Sequence, residues 1–197
     1  IQKLVASDRE AGDAFGWSVA MSGTTAIVAA PREDPDSVSD AGVAYIFTKN
    51  GNTWTETQKI TSSDLESDDQ FGASVAISGN TAIVGAYGED IVTSTDFIGR
   101  DAGAAYIFVR SSDTWSEIQK LTASHRQGYD EFGKSVAISE DGTTAIVGAD
   151  RDDQGFISAT GAAYIFVRSS DGDTWTETQK LTASDPEEND RFGMCVA

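Results

Sequence analysis

Residues 132–149 read FGKSVAISEDGTTAIVGA, and nearly the same text stands twice upstream, as FGWSVAMSGTTAIVAA at 15–30 and FGASVAISGNTAIVGA at 71–86. A fourth Phe-Gly pair opens at Phe192-Gly193, so that successive pairs lie 56, 61 and 60 residues apart. A Gln-Lys pair keeps those spacings at Gln2-Lys3, Gln58-Lys59, Gln119-Lys120 and Gln179-Lys180. Between these marks run GVAYIF (42–47) and GAAYIF (103–108 and 161–166), then WTETQKI (54–60), WSEIQKL (115–121) and WTETQKL (175–181). Self-similarity at a fixed period of this length is tandem duplication and announces a repeat architecture.

Each unit holds four strand candidates, at 17–22, 25–30, 42–48 and 54–61 in the first. Their counterparts are 73–78, 81–86, 103–109 and 115–123, then 134–139, 144–149, 161–168 and 175–183. Ser22-Gly23-Thr24, Ser78-Gly79-Asn80 and Ser139-Glu140-Asp141-Gly142 supply hairpin turns, with glycine where a positive φ is wanted. In the third strand Tyr45 and Phe47 share one face and Ala44 and Ile46 the other, and Tyr106/Phe108 and Tyr164/Phe166 repeat the pattern. Both faces are therefore largely apolar, which suits a sheet held between two others. The reading is all-β: β-propeller blades of four antiparallel strands, three complete, with partial blades at both ends.

Phe-Gly, then SVA, then AIVGA followed by an acidic loop resembles the FG-GAP repeat of integrin α-subunit propellers. The "GAP" portion is matched by Ala29-Ala30-Pro31, Gly85-Ala86-Tyr87 and Gly148-Ala149-Asp150, so only the first keeps the proline. On this likeness 1–14 form the outer strand of a preceding blade and a linker, and 15–70, 71–131 and 132–191 are blades. Residues 192–197 form the inner strand of a following blade. The resemblance implies a non-enzymatic scaffold for protein interaction or cell adhesion, secreted or at the cell surface. Its partners would be another protein or further copies of the repeat, with strand-edge association through 1–6 and 192–197. A structural repeat unit of an extracellular assembly is the alternative, and a calcium-dependent glycan-binding or hydrolytic module is another.

Composition narrows the rest. The formal net charge is −18, from 32 acidic against 14 basic residues, which repels nucleic acid and anionic membranes and attracts cations or a basic partner. No apolar run approaches the 18 or so residues needed to insert a helix across a bilayer. Cys195 is the only cysteine, which excludes an intrachain disulfide; its apolar setting reads as a small buried side chain. His125, the only histidine, replaces the Asp of the sister units (Asp8, Asp64, Asp185), which reads as surface drift. Ser-His-Asp and Cys-His arrangements have no motif-level support in the sequence, and its glycines do not form a phosphate-binding loop motif.

Many blades of the integrin type bind calcium through a DxDxDG-type loop between the first and second strands. Here that position holds Ser-Gly-Thr-Thr, Ser-Gly-Asn-Thr and Ser-Glu-Asp-Gly-Thr-Thr, too few carboxylates for six to eight oxygen ligands. Acids concentrate instead before each Phe-Gly, where one caps the local turn, and in the loops after the second strand. The latter set, Asp34, Asp36, Asp40, Asp90, Asp96, Asp101, Asp150, Asp152 and Asp153, is the candidate site, and calcium is the cofactor it would take. Tyr87, Ile91, Phe97, Ile98, Phe156 and Ile157 in the same loops are candidate partner anchors. Lys3, Lys59, Lys120 and Lys180 align down equivalent outer strands, where they would pair with carboxylates or discourage edge association.

Overall fold

The computed structural model describes residues 1–92, 97–172 and 174–197, without the side chains of Val92, Phe97 and Ile98. Three four-stranded antiparallel sheets follow one another along the chain. The first contains β1 (Val19–Ser22), β2 (Thr25–Ala30), β3 (Val43–Asn50) and β4 (Thr53–Ile60), in that spatial order. The second contains β5 (Ser74–Ser78), β6 (Thr81–Ala86), β9 (Ala104–Ser111) and β10 (Thr114–Leu121). A small hairpin of β7 (Ile91–Val92) and β8 (Phe97–Gly99) is set into its loop. The third contains β11 (Ser135–Ile138), β12 (Thr144–Ala149), β13 (Ala162–Arg168) and β14 (Trp175–Leu181). The hairpin β7–β8 is too short to leave an alternation in the sequence.

The two-faced strands stack the sheets. Ile27 and Ile46 of the first sheet share a core with Phe71, Val75, Tyr106 and Phe108 of the second. Ile83 and Ile107 of the second repeat this against Phe132, Val136, Tyr164 and Phe166 of the third. Each Phe of the Phe-Gly pair meets the Tyr of its own sheet edge-on, with centroids 5.6, 5.6 and 5.4 Å apart in the three sheets. Burying such rings is the dominant favourable term, at roughly 1.5–3 kcal/mol per large apolar side chain. One face of the first sheet is more open: Trp17, Val19 and Met21 are exposed, where Val75 and Ile77, which match Val19 and Met21, lie beneath the neighbouring sheet.

The glycines of the motif permit close backbone approach between sheets. A Cβ on Gly103 would lie 1.9 Å from the carbonyl oxygen of Phe132, and one on Gly148 would lie 1.9 Å from that of Gly193. Side chains then lock the stack. Gln58 Nε2 donates to Trp115 O at 2.7 Å and Trp115 N–H donates to Gln58 Oε1 at 2.8 Å. Gln119 treats Trp175 the same way, and so does Gln2 with Trp54, although residues 1–6 form no strand of their own. Ser74 Oγ donates to Gly133 O, and Ser135 Oγ to Gly193 O.

Cys195 departs from expectation: it is exposed, not buried. It occupies the place of Ser74 and Ser135, whose hydroxyls donate to Gly133 O and Gly193 O.

Candidate functional site

A β-bulge in the outer strand of each sheet sets the chemistry of the loop face. Phe47 pairs with Glu56 but Ile46 with Gln58, so Thr57 is the extra residue; Ile118 and Thr178 are extra in the sister sheets. The bulge turns Glu56 and Lys59 to the face of Phe47 and Tyr45, and sends Gln58 to the next sheet. Glu56 then accepts from the N–H and Oγ of Ser7 in the incoming linker, as Glu117 does from Ser63 and Glu177 from Ser124.

Lys59 becomes the centre of a charge cluster. Its Nζ lies 2.8 Å from Asp8 of the linker and 2.7 Å from Glu33 of the loop after β2, while Tyr45 OH donates to Asp8 at 2.8 Å. In the second sheet Lys120 joins Asp64 at 2.6 Å and Glu89, and Tyr106 OH donates to Asp64. Burial opposes charge on Asp8 and Asp64, but hydrogen bonds from the lysine and tyrosine outweigh it and hold both below the usual carboxylate range. Burial dominates at Glu33 and raises its pKa despite Lys59. The buried tyrosines are pushed up, first by burial and then by their carboxylate partners.

The third sheet solves the same problem differently. His125 stands where Asp8 and Asp64 stand, and it is exposed. Asp152, in place of Glu33 and Glu89, takes both duties: it accepts from Tyr164 OH and pairs with Lys180 at 2.7 Å. At the sister positions, Asp8 and Asp64 each accept from a tyrosine and pair with a lysine, the roles that Asp152 fills in the third sheet.

A second set of acids shapes backbone. Asp13, Asp69, Asp130 and Asp190 each accept the N–H of the residue three before, at 2.5–2.9 Å, and so cap the turn ahead of Phe-Gly. Asp69 and Asp130 are only 2% and 3% exposed, and burial lifts both to about 7.

The candidate calcium ligands are spread over several roles. Asp34 accepts the N–H of Asp40, Asp90 that of Asp101, and Asp153 that of Ala159, each at 2.8 Å; all three donors have φ near +50°. Asp36 is exposed in a short 3-10 turn at 35–37, and Asp152 is held by Lys180 and Tyr164. Asp150 is buried, its pKa raised by burial, with Arg191 at 3.6 Å. Asp96 lies outside the described residues. Among the described residues no three His, Cys, Asp or Glu side chains gather as a metal ion would require.

Of the candidate anchors, Tyr87 is engaged internally: its OH donates to Gln70 at 2.6 Å and Lys134 Nζ lies 3.7 Å from its ring centroid. Ile91 is half-buried in β7, and the side chains of Phe97 and Ile98 lie outside the described residues. Phe156 is fully exposed, at 107%, and Ile157 is 37% exposed. The cluster of Lys59 with Asp8 and Glu33 escaped sequence reasoning as a unit because its members are scattered over 51 residues. The recurring Gln-Lys pair was the one signal for it.

The repeat, its sheets and their shared contacts coincide with a known family pattern: the chain matches the FG-GAP repeat over residues 1–47, 54–108, 115–166 and 175–197. The chain belongs to the FG-GAP repeat family. Repeats of this family are structural and non-catalytic. No curated protein matches the chain. Among solved structures it is similar to Sqt1 of Saccharomyces cerevisiae, a propeller-fold protein, with a TM-score of 0.52 and 7% identity over 89% of this chain and 38% of that one. That likeness concerns the fold alone, and the chain spans well under half of the other protein's length. Among the described residues no helix is long and apolar enough to cross a membrane.

Proposed function

We propose that these FG-GAP blades form a non-enzymatic scaffold for protein interaction, working outside the cell or at its surface. One observation supports the reading: the sheets and their locks repeat, while the loops after the second strand share only their ends and differ in length and content between them. Residues 31–41 hold a 3-10 turn, 87–102 a small β-hairpin, and 150–160 an isolated bridge between Gln154 and Ile157 that leaves Phe156 in solvent. A rigid frame with divergent loops is the usual arrangement of a contact surface. The extracellular setting is supported by the likeness to integrin α-subunit repeats. A photoreactive residue at position 156, exposed to extracellular fractions of the source organism, tests the reading. A discrete protein adduct, lost when 150–160 is replaced by the 31–41 loop, is expected. Adducts equally frequent from a control position at Thr55 would contradict it.

A second reading, a building block of a larger extracellular assembly, is favoured by the exposed Trp17, Val19 and Met21. Another sheet of the same kind would cover them as Val75 and Ile77 are covered. Concentration-dependent sedimentation abolished by Val19→Lys would favour it, and a monomer at all concentrations would count against it.

A further inference from the structure

Each sheet turns one face, its back, toward the sheet that follows in the chain, and the other, its front, toward the sheet before. The two seams between the three sheets are built alike. Their backs hold Ile27, Ile46 and Ile60 in the first sheet and Ile83, Ile107 and Leu121 in the second, none more than 4% exposed. Their fronts hold Val75 and Trp115, then Val136 and Trp175, none more than 8% exposed. The third sheet repeats the back set as Ile146, Ile165 and Leu181, yet each is only half-buried. The first sheet repeats the front set as Val19, 63% exposed, and Trp54, half-buried. One back and one front of matched chemistry are thus left partly open.

The polar lock is left over in the same way. Gln58 and Gln119 each close on the tryptophan of the next sheet, whereas Gln179 is exposed and its side chain forms no hydrogen bond among the described residues. Trp54 holds Gln2 instead. On the back of the third sheet Gly193 lies against Gly148 and Ala162, but Phe192 beside it is 38% exposed where Phe71 and Phe132 are fully buried. That segment reads FGMCVA at 192–197, and FGWSVA at 15–20 carries the same Phe-Gly pair. The glycine carbonyl that receives Ser135 Oγ is therefore available from either segment.

We infer that the front of the first sheet binds the back of the third sheet of a second copy of this chain, in a seam of the kind that occurs twice within it. Gln179 of one copy takes the seat of Gln2 at Trp54 of the other, and residues 15–20 take the seat of 192–197. It rests on the building-block reading above and names the partner, the surfaces and their orientation. Burial of the half-covered isoleucines and of Val19 drives the contact. Because front meets back, the contact is heterologous, and each copy can bind one neighbour on either side.

The test is sedimentation velocity of the whole chain in about 0.5 M sodium chloride, which screens the net charge of −18. Wild type should associate as its concentration rises. Val19→Lys blocks the front. Val167→Lys blocks the back, because Val167 is 38% exposed and its counterpart Val109 packs into the second seam. Each variant alone should therefore stay monomeric. Mixed, they keep one working back and one working front, and should form a one-to-one dimer that grows no further. Gln179→Ala should weaken wild-type association roughly tenfold or more, while Gln2→Ala, which frees Trp54, should strengthen it. Association blocked by Val19→Lys but untouched by Val167→Lys would mean that fronts meet fronts; the building-block reading would survive and the front-to-back seam would not. A mixture that stays monomeric while wild type associates would remove the seam as well. Wild type that stays monomeric at every concentration would overturn both.

Discussion

Gln58 closes both backbone groups of Trp115, donating through Nε2 at 2.7 Å and accepting through Oε1 at 2.8 Å, although 57 residues separate them. The pair ties the outer strand of one sheet to the first residue pair of the next sheet's outer strand, where no ladder joins them. Gln58→Ala removes both bonds and leaves a half-buried amide pair unsatisfied. A loss of about 1–3 kcal/mol is expected, read as a lower urea midpoint at unchanged slope. Gln58→Glu keeps the acceptor but loses the donor, and should fall between wild type and alanine or below both. An unchanged midpoint in both would mean that the sheets do not depend on this lock.

The charge cluster should behave as a unit. Lys120→Met removes a shared cation from Asp64 and Glu89, and hydrogen bonds to charged groups are each worth about 1.5–3 kcal/mol before solvent screening. The lysine and Asp64 are partly exposed, so a loss of about 1–3 kcal/mol is expected. Tyr106→Phe should cost less, since it removes one donor from Asp64 and leaves the lysine in place. Equal or negligible losses in the two variants would contradict the arrangement.

The exchange between His125 and Asp152 predicts coupling. Asp152→Glu alone lengthens a carboxylate that serves Tyr164 and Lys180 at once, and should destabilise. His125→Asp alone adds a negative charge beside a satisfied one, and should do little or mildly destabilise. Combined, they rebuild the pattern of the first two sheets, so the double variant should be more stable than the sum of the singles by about 0.5–3 kcal/mol. Strict additivity would show that position 125 drifts freely.

Asp69 and Asp130 give a pH signature. Their folded pKa of about 7 lies above the unfolded carboxylate value of 3.8. Between those values the folded state keeps a proton that the unfolded chain releases. Their contribution is therefore full below pH 4 and is lost as pH rises toward 7. Asp69→Asn retains the acceptor for Glu66 N–H without the charge. Its melting temperature relative to wild type should rise from pH 4 to about pH 7 and then level off. Asp8 and Asp64, held below the usual range, pull the other way in acid, so the variant-minus-parent difference is the quantity to measure. A difference independent of pH would contradict the burial of Asp69.

Much of the fold was legible in the sequence. The strands around SVA, AIVGA and AYIF are short, apolar on both faces and repeated, so duplication supplied the redundancy that a single strand lacks. The loop face was harder. The bulges at Thr57, Ile118 and Thr178 leave no trace in an alternation of polar residues, yet they decide which way Lys59 and Gln58 point. Grouping acids by position along the chain separated Asp8 from Glu33, which meet only because two different loops end at one sheet edge. Asp34, Asp90 and Asp153 looked like ion ligands; each carries a backbone N–H in a left-handed turn, a role that spacing alone does not reveal.

The face-to-face stack is tested most directly by comparing two glycine substitutions. Gly51 has φ +59° in an open hairpin turn, and an added Cβ meets nothing within 4 Å. Gly103 has φ +81°, and its Cβ would meet Phe132 of the next sheet. Gly51→Ala should cost only the left-handed penalty of about 1–2 kcal/mol. Gly103→Ala, measured by the same chemical denaturation, should cost several kcal/mol more or prevent folding. Equal costs for the two would mean that the third sheet does not lie against the second.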